Sequence, residues 1–378
     1  MLGLYVHVPF CSAICNYCNF NRGLFDADLK GRYVDALVGE IQAGRASGAG
    51  GADNEADTIY FGGGTPSLLE PAEIARVIAA CRRSFDVDRN CEITIEANPE
   101  TVTTARLAGF RDAGVNRVSF GVQSLRDEEL RRLSRLHDAN RARAAVGEAR
   151  TAGFDNISVD LMMWLPEQRV DQWLESVDGA IALGPDHLSL YLLEVYPNAP
   201  LKDDMARSRW SQAPDEDAAA MYLSALDRLD AAGYLQYEIS NVARAGRASR
   251  HNVKYWTDGE WLGFGCGAHS TRDGVRWKNV SSTDEYVRRL QTGQSTREDV
   301  RRLTPDERLG DALFTALRLS EGVDLEAVGL RYGVDVWRRF GGDLAPFVDE
   351  GCLLHEGARL RLTRRGMLLA HEVMTVFV

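Results

Sequence analysis

Apolar and polar positions along the chain fall into two alternating rhythms. Short runs rich in β-branched and aromatic residues recur at intervals of roughly 30 residues, and longer stretches between them carry apolar residues at helical spacing. Six such runs are placed: LYVHVP from Leu4, DTIYFG from Asp57, EITIEA from Glu92, RVSFGV from Arg117, ISVDLMM from Ile157 and HLSLYLLEV from His187. Between them, Leu29, Tyr33, Val34, Leu37, Val38 and Ile41 form one stripe of a helix over 29–46, and a second helix, 71–85, starts with Pro71 in its first turn. Strand and helix in alternation predict an α/β fold built as a partial (β/α)6 barrel, TIM-like in its parallel strands. The Gly/Ala-rich stretch 44–57 reads as a mobile surface connection.

The rhythm changes at about Leu303. Successive short helices follow, around LTPDERLGDALFTAL, DLEAVGLRYG and 336–348, and then a hairpin and a final helix. A small, mainly helical, winged-helix-like C-terminal domain is expected over 301–378, after a barrel over 1–235 and a connecting segment over 236–300. Winged helices often bind DNA, but 301–378 carries eleven Arg and no Lys against twelve Asp plus Glu, so it has no basic excess for phosphates. A docking or lid role is expected instead.

Composition narrows the class. With 378 residues the chain has ample core for two domains. A net charge of -11 argues against nonspecific attraction to nucleic acid or anionic lipid. The N-terminus lacks a basic, then long apolar, leader, and no stretch reaches the roughly 18 apolar residues of a membrane span. Seven cysteines, four of them scattered singly at 81, 91, 266 and 352, argue against a disulfide framework and for a cytoplasmic, reducing setting.

The other three cysteines carry the chemistry. Cys11, Cys15 and Cys18 crowd into PFCSAICNYC directly after the first strand. Three thiolates in one loop can hold three irons of a 4Fe–4S cluster and leave the fourth iron open to a small ligand. A structural zinc site, which wants a fourth ligand, and three buried thiols are the plainer readings. The triad, with Tyr17 before its last cysteine, resembles the signature of the radical S-adenosylmethionine (SAM) superfamily. The resemblance implies reductive cleavage of SAM to methionine and a 5′-deoxyadenosyl radical.

In parallel barrels, ligands gather at the carboxyl ends of the strands. There the sequence places Gly63, Gly64 and Thr65 in GGGTPS, Glu96 in IEANPE, Gln123 in GVQS, Asp160 in ISVD, and Arg135 shortly afterwards in LSRLHD. Taken singly, these are a tight turn, a solvated strand end or a solvated arginine. A carboxylate such as Glu96 could accept two ribose hydroxyls, and Arg135 could fork onto a carboxylate. The superfamily resemblance implies that the glycine loop takes the amino group of SAM, with Tyr5 and Tyr17 near its methionine and adenine parts.

Nine ordered motifs, from YVHVPFCSAICNYC through DLM-x-x-LPEQ to RHNVKYW and GFGCGAHS, resemble the coproporphyrinogen-oxidase-like branch, and most closely its HemW-type heme chaperones. Phe20 stands where the oxygen-independent oxidase typically has a fourth cysteine, and only ten residues precede Cys11, which weakens the decarboxylase reading. Coproporphyrinogen III dehydrogenase or methyltransferase activity is the alternative. For the chaperone, the resemblance implies heme held at His251, Tyr255 and Trp256, with His251 as axial ligand. On spacing alone, a histidine beside aromatics reads as hydrogen-bonded structure. The implied partners are heme, heme-acceptor proteins, an electron donor if SAM is cleaved, and a second copy in a homodimer. GFGCGAHS reads as a tight turn with a buried Cys266. Trp164, where the family usually has Gly, either narrows the cofactor mouth or fills a packing gap; Asn19 replaces a common Asp.

Overall fold

The computed structural model describes residues 1–44 and 54–378, so most of the 44–57 connection lies outside the described residues. All six expected strands form: Leu2–Val8, Glu55–Gly63, Asp86–Ala97, Arg117–Gln123, Ile157–Met163 and His187–Leu192. They pair in chain order, every neighbour parallel, with crossover helices such as Ala27–Gly44 and Pro71–Ser84 packed outside. Pro71 begins its helix, and the Glu73 side chain accepts from the Glu70 backbone to complete the cap.

Two-residue alternation sorts each strand into two faces. Leu4, Val6, Ile59, Phe61, Ile93, Ile95, Val118, Phe120, Val159 and Leu188 are buried in the apolar layer shared with the helices. The intervening residues, among them Tyr5, Tyr60, Glu96, Ser119, Asp160 and Ser189, turn to the barrel interior. That interior is therefore polar, and this is what makes room for chemistry.

The sheet extends beyond the six strands. Trp261–Phe264 adds a seventh parallel strand beside the first, followed by an antiparallel meander of His269–Arg272, Val275–Asn279 and Arg297–Arg302. At the opposite edge, Asn241–Ala243 and Leu235–Glu238 pair antiparallel. Among the described residues the result is an open, twelve-stranded mixed sheet. Gly263 and Phe264 of GFGCGAHS thus end one strand, His269 and Ser270 begin the next, and only Gly265 to Ala268 form the turn. An added Cβ at Gly265 would lie 2.4 Å from the Tyr33 hydroxyl and 2.7 Å from the His7 carbonyl.

The C-terminal part begins with Pro305–Ala316, whose Thr304 and Glu307 form a capping box. Two further helices, Leu325–Tyr332 and Val336–Asp349, precede the hairpin of Leu353–Glu356 and Arg359–Leu362, on which Val323–Asp324 makes a third strand. The expected single final helix is instead two short ones, Arg364–Leu368 and Ala370–Met374, broken at Leu369. Its apolar residues, Leu309, Leu313, Leu360 and Phe377 among them, belong to the same buried cluster as the barrel. Among the described residues, no helix is long and apolar enough to cross a membrane.

Candidate functional site

The cysteine loop is fastened to the barrel mouth by backbone. Phe10–Cys11 pairs parallel with Gly23–Leu24, closing the loop that carries Cys15 and Cys18. Gly64 N donates to Val8 O at 2.8 Å and Thr65 N to Phe10 O at 2.8 Å, so the glycine loop lies directly against the cysteine loop. This contact explains the glycines. A Cβ on Gly64 would lie 2.7 Å from Phe10 O and 2.9 Å from Val8 O, and Gly63 has φ +113° with the His7 ring where its side chain would go. Asn21 ties the loop from the other side, accepting from His7 Nε2 at 2.7 Å through its carbonyl and donating to Cys266 O and Ser281 O at 3.1 and 3.0 Å.

A cavity of about 370 Å³ opens at this end of the barrel. It is lined by all three triad cysteines and by Tyr17, Gly63, Gly64, Thr65, Glu96, Gln123, Arg135 and Asp160. One hydrogen-bonded chain crosses it: Arg135 donates to Cys15 Sγ (3.4 Å) and Asn98 Oδ1 (2.8 Å), Asn98 to Thr65 Oγ1 (3.2 Å), and Thr65 to Cys11 Sγ (3.6 Å). Arg22 donates to Cys18 O. Burial pushes the Cys11 and Cys18 thiols up, with Thr65 and Arg22 acting in the opposite sense. The Nε atoms of Arg22 and Arg135 are buried without a hydrogen-bond partner. Soft sulfurs facing one cavity, beside orphaned cationic donors, fit an anionic iron–sulfur group held by thiolates.

The side of the cavity away from the thiols is acidic. Glu96 accepts from Tyr60 OH at 2.8 Å and Gly63 N at 3.2 Å, and burial, aided by Asp160, pushes it up to about 7. Asp160 accepts from Ser119 Oγ at 3.2 Å and is also raised by burial. Gln123 holds φ +68°, a left-handed conformation costing about 1–3 kcal/mol for a non-glycine residue, and it reaches the cavity from there. Tyr5 is not a lining residue. It lies deeper, its hydroxyl 3.1 Å from His7 Nδ1 and its ring stacked on Tyr60, so it backs the Glu96 region rather than contacting a bound ligand.

The aromatic motif RHNVKYW lies elsewhere. It forms the helix Arg250–Trp256 under the opposite end of the barrel, where Glu92 accepts from the amides of Arg250 and His251 at 3.1 Å, and Asp57 pairs with Lys254 and Arg250. His251 is 1% exposed; its Nδ1 bonds Thr58 Oγ1 and its Nε2 bonds Tyr255 OH, both at 2.8 Å, and its ring stacks on Tyr60. Burial, with Lys254 nearby, pushes it down to about 3. Neither ring nitrogen is available to an iron, so this conformation corrects the expectation of an axial ligand. Trp256 lies under the Arg318 guanidinium, 4.4 Å from its ring centroid, and latches the barrel floor to the C-terminal part.

Trp164 does not narrow the cavity. Its indole donates to Ala213 O at 2.7 Å, outside the lining, and its φ of +63° shows why glycine suits the position. Sequence reasoning missed Asn98, although it sits in IEANPE two residues after Glu96. It also missed Arg22, Ser119, Tyr191 and Tyr196, of which Ser119 and Tyr191 lie in expected strands with interior parity.

Comparison with known proteins agrees with this geometry. Residues 5–179 match the family model of the radical SAM superfamily, and 303–369 match that of the HemN C-terminal domain. The chain is 33% identical to the heme chaperone HemW of Bacillus subtilis, covering 100% of this chain and 99% of that protein. It is 36% identical to HemW of Mycobacterium tuberculosis (98% and 93% covered) and to the mouse radical S-adenosyl methionine domain-containing protein 1, mitochondrial (98% and 86%). The solved coproporphyrinogen III oxidase of Escherichia coli shares the fold, with a TM-score of 0.87 at 24% identity over 100% of this chain and 89% of that one. A triad at the mouth of a polar-lined parallel barrel, a C-terminal part of the HemN type and relatives matching end to end together place this chain in the heme chaperone HemW family of the radical SAM superfamily.

Proposed function

We propose that this protein holds a 4Fe–4S cluster on Cys11, Cys15 and Cys18, binds SAM in the adjoining cavity, and carries heme to acceptor proteins. The carrying observation is the collar of that cavity. Of its lining, Ile14, Phe20, Tyr191, Leu192 and Tyr196 are large apolar or aromatic side chains left exposed, Phe20 at 65% and Leu192 at 46%. Leu24 and Phe25, at the end of the cysteine loop, are exposed as well. Apolar exposure concentrated at one concave mouth marks a binding surface. A flat macrocycle with polar edges suits it, and the bacterial relatives carry the name of heme chaperones.

A reduced cluster, when bound, supplies one electron for cleavage of the SAM sulfonium. The chain's own residues orient and enclose. Glu96, Gln123 and Asp160 offer polar partners for the nucleoside, Arg135 a cation for a carboxylate, and the collar shields the mouth from water. Phe20, standing where a further thiol would compete for the cluster, supports the chaperone over the oxidase.

Heme titration followed by absorption tests this reading. Phe20→Asp combined with Leu192→Asp should weaken heme binding at least tenfold while iron content after reconstitution is kept. Unchanged heme affinity in that double variant refutes the collar. Decarboxylated product from coproporphyrinogen III, with reductant and SAM, would establish the enzyme instead.

A further inference from the structure

Beneath the cavity lies a cation that no part of the proposed chemistry uses. Arg117 opens the fourth strand, is 1% exposed, and ranks among the largest fully buried side chains. Its Nε has no hydrogen-bond partner. With that donor unmet in a buried site, the guanidinium charge must be answered by its surroundings. Strand parity shows where it points. Arg117, Ser119, Gly121 and Gln123 share one face; the last three line the cavity, and Ser119 donates to Asp160. Arg117 pairs in register with Thr94, Ser119 with Glu96 and Gly121 with Asp160, which puts Arg117 one step below Glu96 and two below Asp160 on the same face.

We propose that Arg117 is the buried counter-cation of Glu96 and Asp160, a positioning residue that keeps this pair charged for the hydroxyl and amino groups of the SAM nucleoside. The inference rests on the cofactor reading above. Around Glu96 stand Tyr5 from the first strand, Tyr60 from the second, Asp160 from the fifth, Tyr191 from the sixth and Tyr255 from the floor, all neutral or acidic. Arg117 is the cation below them; Arg135 lies across the cavity, donating to Gly121 O, and Glu92, on the floor side of Arg117, is taken up by the amides of Arg250 and His251. Arg117 opposes the upward push of burial on both carboxyls. Without it, two buried acids about one barrel layer apart would favour sharing a proton, and a protonated carboxyl loses acceptor capacity.

The test is the pH profile of SAM binding to reconstituted protein, by isothermal titration from pH 6 to 9, for wild type, Arg117→Met and Arg117→Lys. The expected result is that wild-type affinity rises with pH and levels off near 7. In Arg117→Met the midpoint should move up by about one unit, giving about tenfold weaker binding at pH 6 and nearly equal binding at pH 9. Arg117→Lys should restore the midpoint. A parallel profile in Arg117→Met, whether weakened uniformly or not at all, overturns the proposal, because lost packing weakens binding at every pH alike. Arg117→Gln is the second variant should the methionine not fold. Thermal unfolding against pH reads the same charge without SAM. A carboxyl raised in the folded state loses stability as pH climbs from the unfolded value to the folded one. That decline should extend to higher pH in Arg117→Met, and an identical decline refutes the inference even if SAM does not bind. Absence of SAM binding in the wild type, with the unfolding shift present, would fail the cofactor reading alone.

Discussion

Replacing His251 with alanine separates two roles for the aromatic motif, heme ligand and barrel floor. Truncation removes a fully buried ring stacked 5.0 Å from Tyr60 and two hydrogen bonds of 2.8 Å. It leaves the Thr58 hydroxyl, itself 0% exposed, without its partner. Ring-to-alanine changes in cores cost about 3–5 kcal/mol, and an orphaned buried hydroxyl about 1–3 kcal/mol, part of it contained in the first figure. A loss of about 4 kcal/mol is expected. At about 2.1 cal/mol/K per residue, 378 residues give an unfolding entropy near 0.8 kcal/mol/K, so the midpoint should fall by about 5 °C in differential scanning calorimetry. The pH dependence carries a second signature. With His251 pushed down to about 3 in the fold, against about 6.5 unfolded, the unfolded chain binds the extra proton below pH 6.5. Wild-type stability therefore falls by up to about 1.4 kcal/mol per unit as pH drops below 6.5, and His251→Ala should lack this component. Heme affinity should stay within twofold of wild type. A variant that unfolds at the wild-type temperature but loses heme would refute the floor role and restore the axial ligand.

Three further outcomes follow from the site. Gly64→Ala should lose most of its iron after reconstitution and about 2 kcal/mol or more of stability, because the new methyl meets backbone atoms of Val8, Pro9 and Phe10 rather than a side chain that could move. Trp164→Gly should leave SAM affinity unchanged in a binding titration, and relief at φ +63° should offset the lost bond to Ala213 to within about 1 kcal/mol in urea unfolding. Phe20→Asp with Leu192→Asp should lower heme affinity without lowering the melting temperature, since both side chains already face solvent.

The barrel was legible because its strands alternate strictly. Leu4, Val6 and Val8 facing helices, with Tyr5 and His7 between them, declare a strand whatever the rest of the chain does. The cavity lining was legible for a related reason, since strand ends define the mouth of any parallel barrel, and Glu96, Gln123 and Asp160 stand there. The motif around His251 was not. Its meaning rests on Thr58 and Glu92, 193 and 159 residues away, and no local pattern reveals that a histidine will find a threonine there. Trp261–Phe264 was missed as a strand because its neighbouring glycines read as a turn, and only pairing with the first strand makes it extended. Tyr5 was expected at the ligand, but parity fixes only the face, and its depth along the strand put it one layer too low.

The placement of Trp261–Phe264 against the first strand bears on the order of biosynthesis. The cysteine loop leaves the ribosome first, yet Asn21, which braces it, reaches for carbonyls at Cys266 and Ser281. At about 5–20 residues per second, the intervening 250 or so residues take roughly 12–50 s to translate. During that interval the thiols belong to an unfinished wall. Loading of the proposed cluster is thereby expected at or after release, once the wall that braces the loop is complete and while its sulfurs are still reduced.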